Sequence, residues 1–559
     1  MLFVNIPAEN KREIRHARKN APEKVSQKFW FKGWILGRYE GYARNYLANT
    51  MSWVRKFPDG KGLQRRMSDK LKVSGVTYSE QSKDYFEKRQ LTRSAGVWGL
   101  WGLAVAAVVS GDFSGWNFGV AAGGFGGLLV AFAILVVMYY GLMFAIGEMS
   151  SAMPHSGGAY SFARKAMGPW GGFVTGLAET IEYVATTAVI VFFSAAYANG
   201  VTTQLFGFDL TGQMWIWYVV LYAAFIGLNS LGSHISFRFA IIVSFITIAI
   251  LVVFSVMVIA SGKFNWDSLW NIAPDAGQSV FLPHGIMGIL FAIPFGVWLF
   301  LGIEELPLAA EESHDPTKDI PRAGFWARGT LIVTGLLVMF LNTGILGAEV
   351  TGAAGEPLLD GFRAIVGDGW AAILGIFALI GLLASLQGIM FAYGRNMYSL
   401  SRAGYYLRAL SVTGKNKTPW LALLVGGVIG FVALVYLDVV TAADPEGVGA
   451  VAGAIILNIA VWGAMLAYLM QMLSFIILRV KHPELERPYR SPWGLVGASV
   501  SGLIAALAFV GFLLNPTFLP AIYAIIAVYA VFMLYFALVG RHNLVLSPEE
   551  RYAVHGEHR

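Results

Sequence analysis

Residues 96–121 decide the fold, because they join a membrane-spanning length of apolar sequence to an interruption: GVWGLWGLAVAAVVSGDFSGWNFGVA. A run of about 20 mainly apolar residues is long enough to cross the hydrocarbon core of a bilayer as a helix. Within it, residues 110–117 contain two glycines, two serines, an aspartate and an asparagine, which are poor helix formers. The stretch is therefore predicted to be a broken membrane helix.

A second apolar segment, residues 284–308, is interrupted in a similar way: HGIMGILFAIPFGVWLFLGIEELPL. Pro294 removes a backbone hydrogen bond, and Gly296 and Gly302 relax the helix further. Polar backbone groups freed at membrane depth are tolerated only where they line a cavity or bind something. Ordinary proline and glycine kinks are the alternative, but carboxylates at both interruptions favour a binding site.

Apolar runs of spanning length recur along the rest of the chain, which is 56% hydrophobic and only 13% charged. A soluble domain carries about 25% charged residues. No run alternates with the period of a strand, so the predicted fold class is an all-α polytopic membrane protein. The twelve predicted spans are 96–121, 124–150, 168–196, 213–230, 237–261, 284–308, 325–349, 370–400, 419–439, 448–478, 493–514 and 518–540.

The interruptions fall in spans one and six, which are equivalent positions if two five-helix repeats are related by inversion. Transporters built in this way bind substrate and coupling ions between the two broken helices. The predicted substrate-binding residues at the breaks and on the third span are Ser110, Gly111, Asp112, Glu182, Phe295, Trp298 and Gly302.

Five acidic residues lie within or beside these spans, and no Lys or Arg lies deep in any span to pair with them. Asp112 is in the first break, Glu179 and Glu182 share one helix face of span three, and Glu304 and Glu305 follow the second break. Unpaired acids in a membrane are protonated, bind a cation or face water. Glu179, Glu304 and Glu305 are therefore predicted to be linked to a proton or coupling ion, and the alternative is a hydrated cavity wall or a structural hydrogen bond.

Trp298 lies between the second break and Glu304. An aromatic side chain at that position can occlude a substrate and offer its ring face to an ammonium group. Ordinary packing is the alternative, because the chain contains 17 tryptophans.

Charge along the chain predicts its orientation. Residues 1–95 hold 21 Lys and Arg against 9 Asp and Glu. Beyond residue 95, the predicted spans place 18 Lys and Arg on the same side of the membrane as the N-terminus and 2 on the opposite side. By the positive-inside rule, both termini are predicted to be cytoplasmic. The predicted organisation is a basic N-terminal segment at 1–95, a twelve-helix transporter domain at 96–540 and a cytoplasmic tail at 541–559.

The N-terminal segment mixes aromatic residues with Lys and Arg, which suits a helix at an anionic lipid surface. A small soluble domain that docks a cytoplasmic partner is the alternative. The basic excess is confined to this segment, so nucleic-acid binding is not predicted. With no cysteine, phosphate-binding loop, histidine pair or nucleophile–base set, no metal, cofactor or enzymatic activity is predicted either.

Several short motifs support a family resemblance over about residues 90–540. They are GEM at 147–149, MPHSGGAY at 153–160, GIE at 302–304, AEES at 310–313, DP at 315–316 and DIPR at 319–322. The sequence resembles the amino acid–polyamine–organocation (APC) permeases. Within them, VSGDF at 109–113, EELPLAAEE at 304–312 and AYGRNMYSLSRAG at 392–404 look most like bacterial ethanolamine permeases.

The resemblance implies two inverted five-helix repeats plus two extra helices, in a bacterial cytoplasmic membrane. It also implies a gating role for Trp298 and a proton-linked role for Glu304. Some proton-coupled members carry a lysine in helix five that replaces sodium, whereas this chain has Ser244 and Thr247 nearby. Those two residues and Ser385 are therefore candidates for a sodium site.

Asp112 departs from the family's amino acid carriers, which usually place small or apolar residues at the first break and bind the substrate carboxylate there. An acid would repel a carboxylate, whereas it suits an amine. The predicted function is uptake of a small cationic amine, first of all ethanolamine, coupled to a proton or sodium gradient. The alternatives are an amino acid permease of the same fold, and a membrane sensor or assembly subunit that uses residues 1–95.

Overall fold

The computed structural model describes residues 71–79, 81, 83–445, 451–514 and 518–555, and it confirms an all-α polytopic membrane protein. Ten helices are long and apolar enough to cross a membrane within this part of the chain, and two shorter apolar helices, Val97–Asp112 and Trp215–Ser230, join them. The membrane helices are α1 Val97–Val108, α2 Phe118–Ala152, α3 Gly158–Phe206, α4 Trp215–Ser230, α5 Ser233–Ser261, α6 Gly285–Trp298, α7 Pro316–Leu346, α8 Asp368–Arg402, α9 Trp420–Ala443, α10 Ala452–Lys481, α11 Gly494–Leu514 and α12 Leu519–Leu538.

The helix α2 is two helical segments that meet at a bend. Gly124 has φ +70°, a left-handed value, and a methyl group there would lie 2.4 Å from Cγ of Pro283. Residues 118–123 therefore continue the first span beyond its break, and the second span begins at the bend, as hydrophobicity predicts. A similar bend at Gly168, with φ +79° and followed by Pro169, separates residues 158–167 from the membrane part of α3.

The packing of helices α1–α10 repeats when each helix is replaced by the one five positions away. Helix α2 packs on α6 as α7 packs on α1, and α3 packs on α10 as α8 packs on α5. Helices α4 and α9 pack on each other, as do α3 and α8. This correspondence is what a pseudo-two-fold axis between two five-helix repeats produces. Helix α11 packs outside the repeats, against α10 and α2.

One face of the helix bundle, called the terminal face here, carries both the segment before α1 and the segment after α12. Strands β1 (Leu71–Val73) and β2 (Val76–Ser79) form an antiparallel hairpin, and β3 (Leu544–Val545) pairs with β2 in parallel. Residues 1–70 lie outside the described residues. The domain boundary at residue 95 and the lipid-binding or docking roles of residues 1–95 therefore stay predictions.

Shorter helices complete the described chain. Two lie in the connection from α7 to α8, one precedes α1 and one follows β3. Their bounds are Lys83–Glu87, Ala348–Ala353, Pro357–Val366 and Pro548–His555.

Glu550, in the last helix, fastens the tail to the terminal face. Its buried carboxylate accepts hydrogen bonds from Arg164 Nε at 2.7 Å and from the hydroxyls of Tyr78, Tyr160 and Tyr405 at 2.6, 2.9 and 3.0 Å. Burial raises the pKa of the Tyr78 hydroxyl, so that residue remains a neutral donor. The tail is thus held by a buried ion pair with satisfied oxygens.

We expect Glu550→Gln to lower the thermal unfolding temperature of the purified protein by several degrees. The amide leaves the buried Arg164 guanidinium without a charge partner, and breaking a buried pair costs about 3–5 kcal/mol. Glu484→Gln is the matched control, because that carboxylate is exposed and bonds His482 at 2.9 Å. Equal melting of both variants and the parent chain would contradict the assigned role of Glu550.

Candidate substrate and coupling site

The first break is held open by a serine from the opposite repeat. Helix α1 ends at Val108 and tightens into a 3-10 turn at Val109–Asp112. The Ser385 hydroxyl of α8 accepts the Ser110 N–H at 2.8 Å, and it lies 2.6 and 2.9 Å from the carbonyl oxygens of Ala106 and Ala107. Ser385 therefore satisfies backbone groups that a continuous helix would have paired internally.

The second break begins where α6 stops at Trp298. Gly302 has φ +110°, and the chain then continues as a 3-10 helix, Ile303–Glu312. The Glu304 carboxylate accepts the Gly302 N–H at 3.1 Å through its Oε2 atom. A methyl group on Gly302 would also lie 2.9 Å from Cδ1 of Ile389, so this turn requires glycine for both conformation and space.

Trp298 joins the two breaks. Its indole Nε1–H donates to the Ser114 carbonyl at 2.9 Å, and its side chain is buried. Gly111 packs on its backbone, since a methyl group there would lie 2.7 Å from the Trp298 carbonyl oxygen. Gly115 has φ +96° and packs against the indole nitrogen. The structure thus brings Ser110, Gly111 and Trp298 together, as a site between the breaks requires.

Gly111→Ala is expected to reduce transport severely, because the added methyl group must push the two breaks apart. Gly329→Ala on α7 is the matched control, since nothing lies within 4 Å of the methyl position there. Substrate uptake and thermal unfolding of both variants, measured side by side in proteoliposomes and detergent, check this. Uptake by Gly111→Ala equal to that by Gly329→Ala would contradict the close contact between the breaks.

Four of the five predicted acids form one buried cluster, called the acid cluster here: Glu179, Glu182, Glu304 and Glu305. Each side chain is at most 2% exposed. Both oxygens of Glu305 lack hydrogen-bond partners among the described residues, and the carboxyl group of Glu182 lies beside that of Glu304. Within the described ranges, no Lys or Arg forms an ion pair with any of the four.

Two tyrosines that the sequence analysis did not single out hold Glu304 in place. Tyr468 of α10 donates its hydroxyl to Glu304 Oε2 at 2.7 Å, and Tyr139 of α2 donates to the Tyr468 hydroxyl at 3.3 Å. Helix α10 approaches closely because Gly463 faces the backbone of Glu182; a methyl group there would lie 2.8 Å from the Glu182 nitrogen. No sequence motif marks these tyrosines, and they were identified only by their hydrogen bonds in the folded structure.

Asp112 lies apart from the acid cluster. It is 1% exposed and lies beside Thr334 and Gly335 of α7, and its Oδ2 atom has no hydrogen-bond partner among the described residues. Asp112 and Glu182 were predicted together as substrate-binding residues. In the structure, Asp112 lies where the end of the first span meets α7, and Glu182 lies in the acid cluster. The buried acids therefore lie at two separate places in the bundle.

The remaining predicted residues fall into two groups. Phe295 packs edge to face against Phe118 and Phe518 at centroid distances of 6.0 and 6.4 Å, so it belongs to an apolar wall. Ser244 donates its hydroxyl to the Gly102 carbonyl of α1 at 3.0 Å, while Thr247 bonds its own helix. Ser244 and Ser385 therefore both reach α1, and Thr247 does not share this contact.

Two ion pairs, one buried and one partly buried, fasten the end of the sixth span to α8 at the terminal face. Arg395 donates to both oxygens of Glu312 at 2.9 and 3.1 Å, and Arg402 donates to Glu311 at 2.6 and 2.9 Å. Arg402 also bonds Glu549 of the tail. All of these residues except Glu549 lie in the motifs that carry the family resemblance, but their pairing is a finding of the structure.

Comparison with known proteins identifies the family of the chain. The amino acid permease family model matches residues 99–543, which is most of the chain. The match includes both breaks, the acid cluster and all twelve membrane helices apart from the first two residues of α1.

Individual relatives have low sequence identity to this chain but align with most of its length. A branched-chain amino acid permease of Bacillus subtilis (strain 168) is 23% identical over 480 residues, covering 82% of this chain and 95% of the relative. A histidine permease of Lactococcus lactis subsp. cremoris is 25% identical and covers 76% and 89%. A methylthioribose transporter of Bacillus subtilis is 26% identical and covers 75% and 87%. From the family match and the two broken helices, the chain belongs to the amino acid permease family of the APC superfamily, whose members are multi-pass membrane transporters and not enzymes.

Proposed function

We propose that the chain is a secondary transporter that takes up a small cationic amine, with ethanolamine as the first candidate, using a proton or sodium gradient. The observation that carries the proposal is the set of buried carboxylates near the breaks, which have no basic partner in the ranges that the structure describes. A buried carboxylate without a counter-charge is costly, so such groups bind a proton or a cation. An ammonium substrate supplies that charge at Asp112.

The backbone around the first break favours an amine over a carboxylate. Binding a substrate carboxylate there needs free N–H groups, and four of those at the break, from Ser110, Phe113, Ser114 and Gly115, already have acceptors, which leaves fewer for a substrate. Asp112 would in addition repel a second negative charge. Ethanolamine carries an ammonium and a hydroxyl but no carboxylate, so it avoids both penalties.

The acid cluster suits the coupling ion. Carboxylates that face one another in apolar surroundings cannot all be ionised unless a cation lies between them. One proton or sodium ion that enters with the substrate would relieve this repulsion, and Glu304 is best placed because its oxygen is fixed by Tyr468. For sodium, the α1 carbonyls beside Ser244 and Ser385 offer the oxygen ligands that a hard cation prefers.

Orientation belongs to the same proposal. Beyond residue 95, the loops and tail on the side of the membrane that carries both termini hold 18 Lys and Arg, and the loops on the other side hold 2. The positive-inside rule then places both termini in the cytoplasm of a bacterial cell, with the transporter in its cytoplasmic membrane.

Transport of an amino acid is the second candidate, because several relatives are named for amino acids, among them histidine and branched-chain amino acids. Labelled ethanolamine uptake into proteoliposomes separates the two. We expect unlabelled ethanolamine to compete strongly, and alanine, lysine and glutamate to compete weakly. Stronger competition by an amino acid than by ethanolamine would overturn the amine assignment and leave the transporter fold intact.

The coupling ion is tested in the same vesicles by imposing one gradient at a time. An inward proton gradient in sodium-free buffer, or an inward sodium gradient at equal pH, should drive accumulation above equilibrium. Ethanolamine that only equilibrates under both gradients would contradict secondary active transport.

A further inference from the structure

A cavity of about 430 Å³ lies away from both breaks, between the beginning of α7, the end of α2 and the residues that follow α10. Its volume is within the range of small-molecule sites. The lining combines basic side chains with aromatic ones, and it includes Lys318, Arg322, Arg328, Phe325, Trp326 and Tyr489. The proposed transport cycle uses none of these residues.

Arg328 is the unusual member of this lining. It is 1% exposed, and no carboxylate pairs with it in the part of the chain that the structure describes. Its guanidinium carbon lies 3.8 Å from the centroid of the Tyr140 ring and 4.8 Å from that of Phe144, while Nε has no hydrogen-bond partner. Aromatic faces compensate only part of the cost of burying a cation, so an anion bound beside Arg328 would be stabilised.

Two more cations line the same cavity. Arg322 is exposed and forms no ion pair among the described residues, and Lys318 is paired only at the surface, with Asp315 at 3.0 Å. Arginine guanidinium groups match the geometry of phosphate oxygens with two parallel hydrogen bonds. The basic side chains of this lining therefore suit a phosphate group.

The surroundings of the cavity indicate which type of molecule would carry the phosphate group. Phe325 and Trp326 lie beside the basic residues with 52% and 56% of their surface exposed. Large aromatic side chains exposed next to basic residues are typical of the headgroup level of a bilayer. A free phosphate would use the cations but not the aromatic surface, whereas a phospholipid would cover both.

We propose that this cavity binds the phosphate headgroup of an anionic phospholipid, with Arg328 as its buried anchor, Arg322 and Lys318 at its mouth, and acyl chains running past Phe325 and Trp326. Basic pockets between membrane helices recognise anionic headgroups by this chemistry.

The test uses the full chain in nanodiscs of phosphatidylcholine with increasing phosphatidylglycerol, and follows the thermal unfolding temperature. We expect a saturable rise for the parent protein. Arg328→Gln should weaken the apparent lipid affinity by at least about tenfold, and Arg322→Gln, a surface change that leaves folding intact, by about fivefold. Arg238→Gln on α5 is the matched control, because Arg238 is exposed and does not line the cavity.

Three results would overturn the proposal. The first is a thermal unfolding temperature that rises with phosphatidylglycerol content without saturating. The second is an equal loss of apparent lipid affinity in Arg238→Gln and Arg322→Gln. Both results indicate diffuse surface charge instead of a site. The third is the same stabilisation by inorganic phosphate in pure phosphatidylcholine discs, which indicates a site for a free anion. If Arg328→Gln fails to fold, Arg322→Gln and Arg238→Gln still decide between these outcomes.

Discussion

Asp112→Asn is expected to lower uptake of labelled ethanolamine at least about tenfold, because it removes the charge that the ammonium group would pair with at the first break. The asparagine keeps the size of the side chain and its place beside Thr334 and Gly335. Ethanolamine affinity should fall by a similar factor, since the lost interaction is with the substrate itself. Initial uptake rates in proteoliposomes, measured over a range of concentrations, give both quantities.

The matched control for that variant is Asp438→Asn. Asp438 lies on α9, away from the broken helices, and accepts a hydrogen bond from Tyr218 at 3.0 Å. The Asp438→Asn substitution makes the same chemical change on another membrane helix, and it should leave ethanolamine uptake close to that of the parent protein. Full uptake by Asp112→Asn would contradict the role of Asp112 in recognising an amine.

Glu304→Gln is expected to abolish accumulation of substrate against its gradient while exchange of labelled for unlabelled substrate continues. The amide neither titrates nor offers a negative charge, so neither a proton nor sodium can be coupled through it. It still accepts the hydrogen bond from Tyr468 and the Gly302 N–H, so the second break keeps its shape. Gradient-driven uptake and equilibrium exchange, measured in the same vesicles, separate coupling from binding.

Tyr468→Phe is the companion variant, because it removes the hydrogen bond to Glu304 but keeps the carboxylate. Its accumulation should fall between those of the parent protein and Glu304→Gln. Loss of exchange together with accumulation in Glu304→Gln would place Glu304 in substrate binding instead. Unchanged accumulation would remove it from the transport cycle altogether.

The membrane helices and their interruptions could be predicted from sequence because both depend on local properties. Apolar length alone located all twelve spans, and the run of residues 110–117 is too poor in helix formers to continue the first one. The extension of α3 back to Gly158 was not predicted, because residues 158–167 include Arg164 and Lys165 and lack the hydropathy of a span.

The arrangement of the candidate site depends on long-range packing, which a single sequence does not encode in a local pattern. The acids could be identified by their type and depth, but not the separation of Asp112 from Glu304. Asp112 lies beside Thr334 and Gly335 of α7, whereas Glu304 bonds Tyr468 of α10. Tyr468 and Glu550 were missed for the same reason, because their importance comes from partners 164 and 386 residues away.

Direct binding of two matched ligands tests the central claim, recognition of an amine without a carboxylate. Serine is ethanolamine with a carboxylate added, so the pair differs only in the group under test. Calorimetric titration of the purified protein with each ligand should give binding of ethanolamine and at least about tenfold weaker binding of serine. Equal or tighter binding of serine would contradict the account and favour an amino acid substrate.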